Sequence, residues 1–509
     1  MLLCTAQQMR DLDSETINTL GLPGVVLMEN AGRATVAAMA ERYGELAAKK
    51  ILILAGPGNN GGDGLVMARH LHQLGAQVTV CLLVADDAMQ GDAAINLSFC
   101  RKLPIPFSAG LGALGPDINE YQILVDALFG TGLGREIGGD FARAISLMNE
   151  SAAQVVAVDI PSGVDSDTGQ IWGCGVQADL TCTYGLAKVG QVQYPGRELV
   201  GQLQVLDIGI PPQLVAEADI KNQLMNHESA KVLLPQRSAT GHKGSHGHLA
   251  IVAGSVGMSG AATLTGRGAL HGGAGLVSLL VPQRLQTIMA ASCPEALTHG
   301  LSGLSGQALG AGDWPEIEVN LQGKDALVLG PGLGLAPETA ELVNTTIGNS
   351  DLPLVLDADG LNNLDLSALK TRAARSSTIL TPHPGEMARL LGVGTAEVQA
   401  KRLQLAQELA TSQQVIVVLK GAGTVIAGPD GRLAINSSGN SGMGSGGMGD
   451  VLAGLIGALL AQGLDGFAAA CLGAFLHGRA GDLLSENGQP WGYLASELAK
   501  KIPTAVGEL

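Results

Sequence analysis

Residues 439–463 read GNSGMGSGGMGDVLAGLIGALLAQG, and six of the first twelve are glycine. A single aspartate, Asp450, separates these glycines from an apolar run that has the composition of a buried helix. Glycine allows positive φ and a close approach to a ligand, at roughly 0.5–1 kcal/mol per residue against alanine in regular structure. Such a stretch is either a flexible linker or a set of backbone amides that surround an anion at the amino end of a helix. The rest of the chain decides between the two.

The whole chain has the length and composition of a globular protein with two or three domains. Its 509 residues are too many for one typical core, and 46% are hydrophobic but only 3% aromatic. Cores made of Ala, Val, Leu and Ile are typical of buried parallel strands covered by closely packed helices. The net charge of −16 argues against nucleic acid or an anionic membrane as the main partner.

Cysteine usage and the first residues indicate a cytoplasmic protein. The seven cysteines form no CxxC pair, so reduced thiols are expected. The opening MLLCTAQQMRDLDSE lacks the apolar core of a signal peptide, and no run of 18 apolar residues follows anywhere. We therefore expect no membrane partner and no nucleic-acid partner.

Apolar runs with the composition of strands alternate with helical patterns in both halves of the chain. The clearest are KKILILAG, AQVTVCLLVA, YQILVDALFG and AQVVAVDIPSG in the first half, and GHLAIVAGS, DALVLGPG, LPLVLDADG and QVIVVLKGAG in the second. This alternation predicts two α/β domains with parallel sheets, over residues 1–220 and 226–509. The polar, proline-marked residues 211–244 between them read as a connection without a core element.

Three segments rich in oxygen-bearing side chains follow strands of the first half. They are PGNNGGDG (57–64), VDALFGTGLGRE (125–136) and DIPSGVDSDTG (159–169). One aspartate at a strand end is most often a helix cap, but parallel strands bring such segments together at one edge of a sheet. Their carbonyl and carboxylate oxygens suit a hard cation or sugar hydroxyls.

The first of these segments also fits the GxGxxG pattern of a dinucleotide-binding loop. Residues 56–61 read GPGNNG, and Asp86 stands at the end of the next strand. A nicotinamide dehydrogenase therefore remains an alternative. The pattern alone is weak, and the two asparagines and Asp63 supply oxygens that a pyrophosphate loop does not need.

The three motifs, in this order, resemble the NAD(P)H-hydrate epimerase family, the amino-terminal domain of the bifunctional nicotinamide-nucleotide repair proteins. The resemblance covers nearly all of residues 1–220 and implies a Rossmann-like three-layer domain that interconverts the R and S forms of hydrated NADH and NADPH. It also implies that K⁺ is held by Asn60, Asp126 and Ser162, and that Asp159 transfers protons. The implied hydrate site consists of Asn59, Asn60, Gly61, Gly62, Asp63, Gly130, Thr131, Gly132, Leu133, Gly134, Arg135, Glu136 and Asp159.

Five segments of the second half follow strands or precede helices in the same way. They are AGSVGMSGAATL (253–264), GPGLG (330–334), TPHPGEMARLL (381–391), LKGAGTVI (419–426) and GGMGD (446–450). Several amides of a glycine loop can face one anion, and the helix dipole adds about half a positive charge there. Asp450 alone could be an ordinary helix cap, but the glycines before it favour an anion site. No GxxxxGK[ST] motif is present, so a P-loop protein is excluded.

These segments, in family order over about residues 230–505, resemble the ADP/ATP-dependent NAD(P)H-hydrate dehydratase of the ribokinase-like superfamily. The resemblance implies a ribokinase-like α/β domain that uses ADP as co-substrate together with Mg²⁺. Asp450 would activate the hydroxyl of the S hydrate for phosphoryl transfer, and loss of phosphate would restore NAD(P)H. Related sequences have threonine where Met448 stands, so side-chain contacts at that position differ.

Two sets of residues in the second half follow from this resemblance. The implied nucleotide-binding residues are Lys420, Gly421, Ala422, Gly423, Thr424 and Gly449. The implied hydrate-binding residues are Ala261, Gly332, His383 and Asp450.

The combined expectation is a cytoplasmic, homo-oligomeric repair enzyme with an epimerase domain and a dehydratase domain. One alternative is a ribokinase-like vitamin or sugar kinase, and another makes the first half a non-catalytic module that binds a nucleotide or a protein. The three histidines of GHKGSHGH (241–248) lack cysteine or acidic partners at the spacing of a zinc site.

Overall fold

The computed structural model describes residues 1–113, 118–372, 376–486, 488 and 490–509. The chain forms two compact units, one of residues 2–222 and the other of Met1 with residues 223–509. Within the described residues, no helix combines the length and the apolar character that crossing a membrane requires.

The first unit alternates strands with helices. Its strands are β1 (Leu2–Cys4), β2 (Lys50–Ala55), β3 (Gln77–Leu82), β4 (Phe107–Ala109), β5 (Ile123–Ala127), β6 (Gln154–Val158), β7 (Leu180–Tyr184), β8 (Ala187–Lys188) and β9 (Gln202–Leu206). Its helices are α1 (Ala6–Asn18), α2 (Gly24–Tyr43), α3 (Asn59–Gln73), α4 (Gly91–Cys100), α5 (Gly139–Glu150), α6 (Arg197–Val200) and α7 (Pro212–Glu217).

Seven of these strands form one parallel sheet in the order β4-β3-β2-β5-β6-β7-β9. Ile51 and Ile53 of β2 belong to one apolar cluster, whereas Leu52 and Leu54 belong to another, so both faces of the sheet are covered. This confirms the predicted three-layer α/β organisation. Because the chain leaves β2 and β5 toward opposite edges, the carboxyl ends of these two strands frame a crevice of the kind that binds ligands.

The segment after β2 is interpreted as a loop from the sequence, but most of it is helical. Helix α3 begins at Asn59, so most of PGNNGGDG is helical. A Cβ on Gly61 would lie 2.1 Å from the carbonyl oxygen of Gly56, and one on Gly64 would lie 2.6 Å from Cβ of Ala127. The glycines thus let the first turns of the helix lie directly on the strand ends.

The second unit is larger and has the same alternation. Its strands are β10 (Asn222–Met225), β11 (His248–Val252), β12 (Leu276–Pro282), β13 (Leu297–Leu301), β14 (Ala326–Leu329), β15 (Leu354–Leu356), β16 (Thr378–Leu380), β17 (Ile416–Leu419), β18 (Val425–Ala427) and β19 (Leu433–Asn436). Its helices are α8 (His227–Leu233), α9 (Ser259–His271), α10 (Gln286–Ser292), α11 (Trp314–Leu321), α12 (Pro337–Asn349), α13 (Asp359–Asn362), α14 (Leu366–Arg372), α15 (Pro384–Leu391), α16 (Thr395–Ala400), α17 (Arg402–Gln413), α18 (Met448–Ala461), α19 (Gly466–Glu486) and α20 (Ala495–Glu508).

The sheet of the second unit runs in the order β13-β12-β11-β14-β15-β16-β17-β18-β19, with β10 beside β19. It is parallel from β13 to β17, as predicted, and ends in the antiparallel pairs β17–β18 and β18–β19. Helix α18 packs on α9 so closely that a Cβ on Gly454 would lie 2.0 Å from the carbonyl oxygen of Thr265. Some glycines of the opening stretch therefore serve helix packing.

The interpretation of residues 211–244 as a connection without a core element is wrong. Strand β10 and helix α8 lie in this segment, and Met225 and Ala230 are fully buried in the core of the second unit. Both elements are short, so their few apolar positions do not form a recognisable period in the sequence.

Two candidate active sites

A cavity of about 730 Å³ lies at the carboxyl ends of the strands of the first unit. Its wall includes the start of α3, the segment after β5 and the side chain of Asp159 after β6. Of the implied hydrate-site residues, those that line it are Asn59, Asn60, Asp63, Gly130, Thr131, Gly132, Leu133, Gly134, Arg135 and Asp159. Gly61, Gly62 and Glu136 do not line it. Gly61 and Gly62 instead face Gly56 and Met28, where a side chain would not fit.

The three implied K⁺ ligands lie beside this cavity. Asp126 is fully buried and accepts hydrogen bonds from the backbone nitrogen (2.7 Å) and Oγ (2.6 Å) of Ser162. Asn60 is 6% exposed, and neither atom of its side-chain amide has a hydrogen-bond partner in the described part of the chain. Oδ1 of Asn60 is 3.5 Å from where a Cβ on Gly130 would stand. An unpartnered amide oxygen near a buried carboxylate fits a hard cation.

Burial also makes the carboxyl of Asp126 responsive to such a cation. Burial raises the pKa of Asp126 to about 6, although its hydrogen bonds from Ser162 and Leu128 oppose the rise. A positive charge bound nearby would favour the ionised form and lower this pKa.

Asp159 is held in an unusual conformation at the cavity wall. Its φ is +61°, and its Oδ1 accepts hydrogen bonds from Nζ of Lys188 (2.5 Å) and Oγ1 of Thr183 (3.1 Å). Gln191 donates to its backbone oxygen at 2.6 Å. Lys188 is 1% exposed and also donates to Thr183 and to the carbonyl of Tyr184. A strained aspartate held by several partners is typical of functional sites.

Two further carboxyl groups reach the same cavity. Asp63 is 8% exposed, and burial together with the charges of Asp159 and Asp13 raises its pKa well above the usual range. Burial raises the pKa of Asp13 to about 6, and its Oδ1 is buried without a hydrogen-bond partner in the described chain. Sequence reasoning missed Asp13 and Lys188, because a single aspartate on a helix and a single lysine after an apolar strand form no motif.

The second site lies at the amino end of α18, where the opening stretch leads into its helix. Gly447, at φ +89°, precedes the helix, so Asp450 stands in its first turn. The side chain of Met448 is 5% exposed and packs in the core. Its carbonyl accepts a hydrogen bond from Nε2 of His477 at 2.9 Å, and burial lowers the pKa of this histidine to about 4. The methionine at this position therefore serves packing.

A partly buried lysine, Lys420, connects this helix end to two strand ends. Nζ of Lys420 lies 2.8 Å from Oδ1 of Asp357 and 3.8 Å from Oε2 of Glu386. A Cβ on Gly449 would lie 3.2 Å from Nζ of Lys420, so glycine leaves room for the ammonium group. Asp357 also accepts a hydrogen bond from Thr381 at 2.7 Å. Asp357 and Glu386 were missed, although both stand in quoted segments, DADG and TPHPGE.

The charges of this cluster act on Asp450. Burial raises the pKa of Asp450 to about 7, and Asp357 adds to the rise while Lys420 opposes it. Burial alone would lower the pKa of Lys420, but the carboxylates of Asp357 and Glu386 outweigh it and raise that pKa. Asp450 is therefore poised to exchange a proton near neutral pH.

His383 caps a helix at this site. Its Nδ1 accepts hydrogen bonds from the backbone nitrogens of Gly385 (2.9 Å) and Glu386 (3.3 Å) at the start of α15. Its Nε2 lies 3.5 Å from Oε1 of Glu386, and about half of its side chain is exposed. These contacts fix the ring orientation, and the exposed half of the side chain is open to a ligand.

Contacts also connect the remaining implied segments with this cluster. Gly332 has a φ of +66°, and a Cβ added to it would lie 3.0 Å from Cβ of Ala261. Glycine at this position therefore leaves room for Ala261. Gly334 donates to Oδ2 of Asp359 at 2.9 Å, and Asp359 is one of the charges that raise the pKa of Asp450. These segments therefore lie close to the helix end.

The nucleotide segment after β17 rests on a buried arginine. Arg402 donates to the carbonyl oxygens of Leu419 (3.0 Å) and Lys420 (3.2 Å). Oγ1 of Thr424 donates to the carbonyl of Gly421 at 2.9 Å and closes the turn. Over the described residues, no group of three or more His, Cys, Asp or Glu side chains is arranged to hold a metal ion.

Comparisons with known proteins follow the same division. A family model described as NAD(P)H-hydrate dehydratase matches residues 249–504, and one described as YjeF-related protein N-terminus matches residues 24–190. The chain is 41% identical over 515 residues to the bifunctional NAD(P)H-hydrate repair enzyme of Moorella thermoacetica, and the alignment covers 100% of this chain and 97% of that one.

Solved structures resemble the second unit. One is the ADP/ATP-dependent NAD(P)H-hydrate dehydratase of Bacillus subtilis, co-crystallised with ATP and Mg²⁺, which is 32% identical. The match covers 56% of this chain and 98% of that one, with a TM-score of 0.48. A ribokinase-like superfamily protein of Enterococcus faecalis is 22% identical over 57% of this chain and 96% of its own, with a TM-score of 0.50. The latter likeness shows the ribokinase-like fold.

Proposed function

The chain belongs to the family of bifunctional NAD(P)H-hydrate repair enzymes, and we propose that each of its two sites carries one of the two activities. Residues 1–220 interconvert the R and S forms of hydrated NADH and NADPH. Residues 226–509 dehydrate the S form to NAD(P)H at the expense of ADP. The assignment is supported by the family matches, which fall on the unit that holds the corresponding cluster of implied residues.

The observation that carries the dehydratase proposal is the position of Asp450, a partly buried carboxyl with a pKa raised to about 7 at the amino end of a helix. Asp450 takes the proton of the hydrate's C6 hydroxyl as this oxygen attacks the terminal phosphorus of ADP and AMP leaves. The phosphate then departs with the C6–O electron pair, and loss of a proton from C5 forms the C5–C6 double bond. Backbone amides at the helix end, with Gly449 among them, face the phosphoryl charge.

We propose that Mg²⁺ accompanies the nucleotide at this site. Mg²⁺ usually keeps waters and binds through one or two carboxylates together with substrate phosphates. The cluster offers the carboxylates of Asp357 and Glu386 for such shared binding. When bound, the ion neutralises phosphate charge. Lys420, Gly421, Ala422, Gly423, Thr424 and Gly449 would contact the nucleotide, and Ala261, Gly332 and His383 the hydrate.

We assign the epimerase activity to the cavity of the first unit. Asp159 has an ionic partner in Lys188 and lines the cavity, so it can remove a proton from the hydrate there. K⁺ would be held by Asn60, Asp126 and Ser162, whose oxygens include the unpartnered amide of Asn60. This cation would supply a fixed positive charge beside the cavity.

A racemic hydrate tests both assignments at once. With ADP, the full-length protein should restore NADH absorbance from both epimers, and without ADP it should restore none. A vitamin or sugar kinase would instead leave a stable phosphorylated product. If half of the absorbance returns quickly and the other half returns only at the rate of the uncatalysed epimerisation, the epimerase assignment is wrong.

We also propose a cytoplasmic homo-oligomer. Light scattering of the purified protein should give a multiple of the chain mass of 51.7 kDa. A value of one chain mass at micromolar concentration would overturn the oligomer.

A further inference from the structure

Four of the seven charged residues that line the cavity of about 730 Å³ come from separate elements of the first unit and share electrostatic interactions. Asp13 lies on α1, Asp63 on α3, Asp159 after β6 and Lys188 at the end of β8. Lys188 donates its short hydrogen bond to Asp159. Within the described residues, the carboxyls of Asp13 and Asp63 receive no such bond. Among these four side chains, one carboxylate is held by a cation and two carboxyls have no donor in the described part of the chain.

Asp13 is the better placed of the two free carboxyls for a role of its own. Its Oδ1 is buried and lacks a hydrogen-bond partner in the described part of the chain, whereas buried polar atoms are normally paired. A protonated carboxyl avoids the cost of a buried charge and can donate its own proton to a bound molecule. The position thus favours a group that carries a proton into the cavity.

The reaction proposed for this unit needs such a group. The hydrate carries its hydroxyl on C6, a carbon that is also bonded to the ring nitrogen N1. Inverting this carbon by opening the ring requires a base for the hydroxyl proton and an acid for the nitrogen, because an amine leaves readily only when it is protonated. Asp159 can supply only the first of these.

We propose that Asp13 is the acid partner of Asp159 and that the hydrate epimerises by opening and closing its ring. This inference rests on the proposed function of the first unit. Asp159 takes the hydroxyl proton, and the O–H electron pair becomes the second C–O bond of an aldehyde. The C6–N1 bond breaks, its electron pair moves to N1, and N1 takes the proton of Asp13. No oxidant, nucleotide or net proton is consumed.

The second half of the cycle reverses these transfers on the other face. Rotation about the C5–C6 bond of the open aldehyde presents the opposite face of the carbonyl to N1. N1 attacks this face and returns its proton to Asp13, while the oxygen regains the proton held by Asp159. The ring closes as the other epimer, and both carboxyls return to their starting states.

The charges around Asp13 suit this role. Burial raises its pKa to about 6, the charge of Lys188 opposes the rise, and the charge of Asp159 adds to it. Asp13 in turn raises the pKa of Asp63. The remaining charged residues of the cavity wall are Arg10, Asp92 and Arg135. A carboxyl with such a pKa exchanges its proton close to neutral pH, where a general acid is most effective.

The test compares Asp13→Asn with Asp11→Asn in the full-length protein, starting from the pure R hydrate without ADP. Asp13→Asn should lower kcat for formation of the S form by about 100-fold or more and leave KM within a few-fold. Asp11→Asn should keep the wild-type rate, since Asp11 lies on the same helix but is exposed and does not line the cavity. ADP-dependent dehydration of the S hydrate by the same preparations should stay within two-fold, which shows that the chain is folded.

The pH profile separates an acid from a group that only positions the substrate. Wild-type kcat/KM should fall as the pH rises through the pKa of Asp13, because its acidic proton is lost. This limb should be absent in Asp13→Asn and partly restored in Asp13→Glu. An unchanged limb in Asp13→Asn, or a rate within three-fold of wild type, would overturn the assignment.

An isotope experiment tests ring opening directly. A hydrate labelled with ¹⁸O in its hydroxyl should keep the label through inversion, because the C6–O bond never breaks. Loss of the label to water at the rate of epimerisation would overturn the ring-opening route.

Asp159→Asn makes failure of this inference distinguishable from failure of the proposed function. If Asp159→Asn abolishes epimerisation and Asp13→Asn does not, only the acid assignment is wrong. If neither variant slows it, the cavity is not the epimerase site.

Discussion

The two units use different folds but share one electrostatic arrangement. In the first unit buried Lys188 pairs with Asp159, and in the second the partly buried Lys420 pairs with Asp357. Each unit also holds a second carboxyl whose pKa is raised by burial against the opposing charge of the lysine, Asp13 in the first unit and Asp450 in the second. Both sites thus combine a lysine-paired carboxylate with a carboxyl whose pKa is raised by burial.

The two sites differ in what surrounds the lysine. The first unit adds an unpartnered amide and a buried carboxylate, which favour a cation, whereas the second adds a helix end with glycine amides, which favours an anion. The difference matches a reaction that moves protons only and a reaction that also moves a phosphoryl group.

Asp450→Asn should lower ADP-dependent dehydration by about 10²–10⁴-fold, because the amide cannot take the hydroxyl proton. The initial rate of NADH formation from the S hydrate measures this effect. Epimerisation of the R hydrate should stay unchanged, and the exposed Asp365→Asn serves as the control. A variant that keeps more than about a tenth of the rate would reduce Asp450 to a helix cap.

Gly454→Ala should destabilise the second unit by roughly 1–3 kcal/mol, since the new Cβ would lie 2.0 Å from the carbonyl oxygen of Thr265. The temperature at which ADP-dependent activity is lost on heating measures this loss of stability. Gly260→Ala, on helix α9 with open space around it, should be neutral or slightly stabilising. Equal unfolding temperatures for the two variants would show that the close contact between α18 and α9 does not contribute to stability.

Asp126→Ala should lower epimerisation by about ten-fold or more, and added K⁺ should restore it poorly, because a ligand and not only a charge has been removed. The rate of R-to-S conversion against K⁺ concentration measures this effect, with dehydration on the same chain as the folding control. If replacing K⁺ by a large organic cation leaves the wild-type rate unchanged, no K⁺ acts at this cavity.

Glu386→Gln should move the pH profile of dehydration by less than about one unit. Asp450 must be ionised to act as base, so kcat/KM rises with pH through its pKa of about 7. The negative charge of Glu386 contributes to raising that pKa, so its removal lowers the pKa and moves the rise to lower pH. A shift to higher pH would contradict the ordering of charges around Asp450.

The sequence predicted those parts of the sites that lie in continuous motifs. PGNNGGDG, the residues around GTGLG and the GGMGD segment each place backbone and side chains together through local geometry, so a single reading along the chain finds them. The amino end of α3 was missed because a run of glycines usually indicates a loop. Here the glycines allow close packing on Gly56 and Ala127, and this contact cannot be seen in the sequence.

The residues that neither motif nor periodicity could reveal are those that act across the fold. Lys188 reaches Asp159 from 29 positions away, and Lys420 reaches Asp357 from 63 positions away. Asp13 has no neighbour in sequence that marks it, and its environment arises only when α1 covers the strand ends. Pairing over such distances depends on tertiary packing, which composition and spacing do not encode.

We propose that two independent sites, each with its own lysine-paired aspartate, act in sequence on one substrate. Mixing the full-length variants Asp159→Asn and Asp450→Asn with pure R hydrate and ADP tests it most directly. Asp159→Asn alone should form NADH no faster than the uncatalysed epimerisation allows, and Asp450→Asn alone should form it only at its residual rate of dehydration. The mixture should restore NADH formation to near the wild-type rate. A mixture that remains as inactive as its two components would contradict the division of the two activities between the two sites.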